Sequence, residues 1–151
     1  MKNRTLILDC KEKIGKEVTI YGWVQVRRDH GKIIFLDVLD RSGLIQVVGG
    51  GKGRDIRPQD VVKITGKVSK RPEKLINPNL ATGEIELQAE KIEVLSKAAE
   101  LPFDMGNKEL DLQLPTLLDY RTLTLRHPKV KAIFEVQAAI AEGFRKTAED
   151  L

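Results

Sequence analysis

Between Val18 and Leu95 the chain alternates apolar and polar residues with a period of two. Val18, Ile20, Val24 and Val26 mark one face of a first strand, and Ile34, Leu36 and Val38 one face of a second. Ile45 and Val47 repeat the pattern, then Val62, Ile64 and Val68, then Ile85, Leu87 and Ala89. Five short strands separated by Gly, Pro, Asn and Asp predict a mainly β fold, a small closed or nearly closed barrel. Asp29-His30-Gly31-Lys32 and Asp40-Arg41-Ser42-Gly43 have the polar, glycine-containing chemistry of tight turns. The longer stretch from Arg71 to Asn79 holds two prolines, which cannot join a central ladder, and is expected to leave the barrel.

After Leu95 the alternation stops. Residues 104–127 show no steady period. From Pro128 a helical pattern begins, with Val130, Ile133, Phe134, Ile140, Phe144, Ala148 and Leu151 recurring at three or four residues. Neither a glycine cap nor a proline follows Leu151, so a larger domain is expected to continue from this helix.

The second and third strands carry the candidate chemistry. A four-residue loop from Asp40 to Gly43 sets Leu39 opposite Leu44, Val38 opposite Ile45, Asp37 opposite Gln46 and Leu36 opposite Val47. Phe35, Asp37 and Gln46 then share the outer face, with Phe35 diagonal to Gln46 at roughly 7–8 Å. An exposed aromatic can stack a nucleobase and a nearby amide can read its edge. Arg27 and Arg28, at the end of the first strand, add charge for phosphates or a base edge. Tyr21 and Trp23 fall on the same outward register as Arg27. Each residue taken alone also has a plain structural reading. A strand Phe can lie under a loop or a partner subunit, Gln46 can be ordinary surface, and an arginine pair can be a solvated turn.

Composition narrows the field. The 151 residues are 41% hydrophobic and 32% charged, with a formal net charge of +4. That balance supports a globular core and suits a polyanionic partner. No apolar run approaches the roughly 20 residues of a membrane span, and the N-terminus returns to charge too soon for a signal peptide, so a cytoplasmic, non-membrane protein is expected. One cysteine, Cys10, allows no internal disulfide, and two histidines leave little for a metal site. Gly49 to Arg54 includes Gly53 directly after Lys52, which breaks a phosphate-binding P-loop signature and leaves a short flexible link.

The stretches GWVQVRRDHGKIIFLDVLDRSGLIQVV, VKITGKVSKRPEKLINPNLATGEIEL and IEVLSKAAELPF, with the later LDYRTLTLR, resemble the N-terminal region of class II aminoacyl-tRNA synthetases of the aspartyl, asparaginyl and lysyl subgroup. RRDHG and NPNLATGEIE are most similar to the bacterial-type aspartyl enzymes. The resemblance implies a five-stranded OB-fold Greek-key barrel as the anticodon-binding domain over residues 1–103, a hinge over 104–127, and the first helix of a catalytic domain over 128–151. It implies that Phe35 stacks the middle uridine of the anticodon and Gln46 reads it. Arg28 is then a further contact, and Glu73 and Asn77 on the long loop are candidates for the flanking bases. His30 resembles the residue of enzymes that charge both the aspartate and the asparagine tRNA, so tRNA-Asp, with tRNA-Asn as a second substrate, is the implied partner. The parent enzyme would be a homodimeric ligase using ATP and Mg. This stretch is expected to hold neither the ATP site nor the amino-acid site, and no metal or cofactor of its own. An asparaginyl or lysyl enzyme and a general single-strand-binding module are the alternatives. The family's usual helix between the third and fourth strands has no room in residues 49–60.

Overall fold

The computed structural model describes residues 4–51, 53–107 and 109–150. Lys52 of the glycine-rich link and Leu151 of the terminal helix pattern lie outside the described residues. The chain divides into two compact units, Met1–Leu101 and Pro102–Leu151.

In the first unit, strands β1 (Glu17–Asp29), β2 (Ile34–Leu39), β3 (Leu44–Val48), β4 (Val61–Lys70) and β5 (Ile85–Ser96) close into a barrel in the order β1-β2-β3-β5-β4. All neighbours are antiparallel except β3 and β5, which run parallel. The β2–β3 hairpin has the register its turn requires, with Leu39 opposite Leu44 and Asp37 opposite Gln46. Ile20, Val24, Leu36, Val38, Ile45, Val47, Ile64 and Leu87 are wholly buried inside. Each such side chain stabilises the fold by about 1.5–3 kcal/mol relative to an exposed position.

Two short segments add to the barrel core. A 3₁₀ helix, Leu8–Lys13, puts Ile7 and Cys10 into the core at the end holding the β2–β3 turn. The buried Asp40 carboxylate fixes it there, accepting from the Ile7 N–H at 3.1 Å while also taking the Ser42 N–H at 2.7 Å. Ile56, on the turns that join β3 to β4, also packs into the core. The chain there reverses through left-handed conformations at Gly50, Gly51 and Gly53.

One sequence expectation fails on β1. The pairing with β2 slips between Val24 and Val26, a β-bulge at Gln25. Beyond it Val26 lies opposite the outward Asp37, Arg27 opposite the inward Leu36, and Arg28 opposite Phe35. Val26 is therefore outside the core rather than within it. The cause is closure: β1 pairs with β4 up to Trp23 and then with β2, while the Val24 N–H and C=O bond to Asp60 and Gln59 of the β3–β4 loop. A strand that changes partner must bend, and an extra residue supplies the bend.

The second unit contains helices α1 (Leu114–Asp119), α2 (Arg121–Thr124) and α3 (Pro128–Glu149). The first two fall in the stretch that showed no period, because elements of six and four residues are too short to display one. Helix α3 begins on Pro128 and buries only Val130. Just before it, the buried His127 ring nitrogen Nε2 sits 3.0 Å from the Asn107 carbonyl oxygen. Among the described residues no helix is long and apolar enough to cross a membrane.

Candidate nucleic-acid interface

The bulge decides which arginine joins the outer face. Arg28 stands directly opposite Phe35, and both share that face with Asp37, Gln46 and Glu86. Arg28 grips Asp37 through two hydrogen bonds, Nη1 to Oδ2 at 3.0 Å and Nη2 to Oδ1 at 2.7 Å. Its Nη2 also reaches Gln46 Oε1 at 3.3 Å. The Gln46 amide then donates through Nε2 to Glu86 Oε2 at 3.2 Å. Gln88 Nε2 donates to the other Glu86 oxygen at 2.7 Å. A continuous polar strip thus crosses β1, β2, β3 and β5 beside one half-buried aromatic ring.

Arg71 anchors the far end of this strip. Its side chain is 5% exposed, its Nε donates to the Ile85 carbonyl at 3.0 Å and lies 3.9 Å from Glu86 Oε2, and its Nη2 is buried without a hydrogen-bond partner. Burial lowers its pKa from the usual guanidinium value, with the Glu86 carboxylate pulling the other way. Neither Arg71 nor Glu86 emerges from reading the sequence alone. The signal was present: Ile85 and Leu87 face inward, so Glu86 faces out, and a Greek key sets β5 beside β3.

The remaining expected residues take distinct positions. His30 is exposed and meets Phe35 edge-on, with ring centroids 5.5 Å apart at 85°. Glu73 is exposed on a short 3₁₀ turn, Glu73–Leu75, of the β4–β5 loop. Asn77 organises that loop: its Oδ1 accepts the Asn79 N–H at 3.1 Å and its carbonyl accepts the Leu80 N–H at 3.2 Å. Arg27 is the one displaced. The bulge turns it to the inward register at the barrel rim, where Nη2 bonds Asp29 at 2.8 Å, so it does not join Phe35 as the alternation predicted.

Chemically the strip favours base edges over backbone. Asp37 and Glu86 would repel a phosphate, but their oxygens accept from the N–H groups of a base, and Arg28 and Gln46 offer donors beside them. Phe35 offers a surface for stacking.

A closed five-stranded Greek-key barrel with such a face is an oligonucleotide-binding fold. The chain belongs to the family described as the OB-fold nucleic acid binding domain, which matches it over residues 18–95. Among curated proteins it is 40% identical over 147 residues to the aspartate–tRNA(Asp/Asn) ligase of a Cyanothece species, covering 91% of this chain and 25% of that one. It is 44% identical over 126 residues to the ligase of the same description from Syntrophomonas wolfei, covering 78% and 21%. Among solved structures it is similar to asparaginyl-tRNA synthetase from Pyrococcus horikoshii complexed with asparaginyl-adenylate, at 27% identity and a TM-score of 0.76, covering 97% of this chain and 34% of the other. The barrel is thus homologous to the anticodon-binding region of aspartyl-tRNA synthetases. The chain spans about a quarter of the length of the curated relatives it matches.

Proposed function

We propose that this barrel is the anticodon-recognition module of an aspartate–tRNA ligase, and that its outer face binds the anticodon loop. The observation that carries the reading is the placement of Phe35 beside the Arg28–Asp37–Gln46–Glu86 strip on one face of the barrel. Phe35 stacks the middle base, a uridine, and His30 holds the ring from its edge. Gln46 reads that base, Arg28 and Glu86 address a neighbouring one, and the β4–β5 loop with Glu73 and Asn77 closes over the flank. Both tRNA-Asp and tRNA-Asn are the intended partners, consistent with what the relatives' names say of them. The whole enzyme is a cytoplasmic homodimer that activates aspartate with ATP and Mg.

The test is a titration with an aspartate anticodon stem-loop, in parallel with one whose middle uridine is replaced. Replacing the uridine, and separately Phe35→Ala, should each weaken binding by about 1–3 kcal/mol, the value of one stacked base. A module without base preference binds both RNAs alike. Unchanged affinity in both experiments would refute the anticodon reading.

A further inference from the structure

The barrel rim that received Arg27 is a second charged feature, separate from the Phe35 face. A cleft of about 580 Å³ lies between the end of β1, the β3–β4 turns and the exit of β5. Four cations line it, Arg27, Arg54, Arg57 and Lys97, against the carboxylates of Asp55 and Asp60. The Asp60 carboxylate is already committed to backbone. It accepts the Arg57 N–H at 2.9 Å and the Ala98 N–H at 2.7 Å, which ties the loop to the β5 exit, so that Arg57 and Lys97 line the same cleft. Among the described residues Arg54, Arg57 and Lys97 form no ion pair. Arg27 bonds Asp29 through one nitrogen, yet its Nε is buried without a hydrogen-bond partner.

Four cations line the cleft against two carboxylates, so the local carboxylates leave cations to spare. We propose that this cleft is a site for RNA backbone phosphate, a contact distinct from the base-reading face. Guanidinium forks suit phosphate oxygens, and displaced counterions add to the affinity. The inference rests on the reading of the chain as an RNA-binding module. It adds a sequence-independent anchor to a face that, with two carboxylates on it, is poorly suited to holding backbone.

Arg54→Gln/Arg57→Gln removes two charges from exposed loop positions, and Lys97→Gln removes one from the strand exit without touching the loop. Both variants of the full chain, with thermal unfolding as a check on folding, are titrated with the aspartate anticodon stem-loop at several salt concentrations. The slope of log K against log salt should shrink by about 0.7–0.9 for each phosphate that is no longer neutralised, and affinity at low salt should fall about 3- to 10-fold. The preference for the middle uridine should stay as in wild type. Unchanged slope and affinity in both variants, with Phe35→Ala still weakening binding, overturns the phosphate site and leaves the base reading intact. Weaker binding by the charge variants with no effect of Phe35→Ala supports the site and refutes the base reading. Saturable binding of inorganic phosphate alone, abolished in the variants while their RNA affinity holds, also overturns it in favour of a small-anion site.

Discussion

The guanidinium of Arg28 meets the carboxylate of Asp37 fork to fork, at 3.0 and 2.7 Å, and the same Nη2 reaches Gln46. Asp37 thereby sets the plane in which Arg28 and Gln46 are presented. Asp37→Ala should therefore weaken anticodon stem-loop binding by about 1 kcal/mol, although it removes a negative charge from the proposed RNA-binding face. Simple electrostatics predicts the opposite sign. A double-mutant cycle with Arg28→Ala should give a coupling on the order of 0.5–3 kcal/mol, read from equilibrium titrations.

Glu86 compensates a buried cation. Glu86→Ala leaves the Arg71 guanidinium, 5% exposed, without its carboxylate neighbour. Urea denaturation should show a loss of about 1–3 kcal/mol, and adding Arg71→Ala should cost less than the sum of the two single changes.

Cys10 is fully buried, with Sγ 3.6 Å from the Leu6 carbonyl. Burial pushes its thiol up to about 11 from an ordinary 9.0, against the opposing pull of Lys13. A raised thiol pKa means that the folded state keeps its proton where the unfolded chain has lost it. The contribution is full below pH 9 and disappears as pH rises toward 11. The stability gap between wild type and Cys10→Ala should therefore narrow, on the order of 2 kcal/mol, across that window. At pH 8 the native thiol should react with a disulfide reagent far more slowly than the unfolded one.

Gly22 sits where β1 changes partner. A Cβ there would overlap the Leu39 carbonyl oxygen, a backbone atom that cannot move aside, and would come within 2.9 Å of Val38 Cγ1. Gly22→Ala should destabilise the barrel by about 1–3 kcal/mol, a drop of several degrees in Tm for a domain of this size.

Much of the barrel was legible because a strand buried on one face must alternate, and Ile34, Leu36, Val38, Ile45 and Val47 do so without interruption. The hairpin register followed from its turn. The capping helix was not legible, since Leu8–Lys13 is too short for a period and its place depends on Asp40, distant in the sequence. Ile56 follows closely on the glycine-rich link and belongs to no strand pattern, yet it joins the core. Its burial depends on the assembled core, in which it joins residues of all five strands.

The candidate face divides in the same way. Local alternation and one turn were enough to place Phe35, Asp37 and Gln46 together, because cross-strand neighbours in a tight hairpin are a local matter. Arg28 was already a candidate beside Arg27, but its place on this face, like the roles of Arg71 and Glu86, needed the closed barrel. The sequence, read at period two, aligned Arg27 with the outward residues of β1. The bulge at Gln25 exchanged it for Arg28, since a strand shared between two partners must bend to close the sheet, and one extra residue reverses every side chain beyond it.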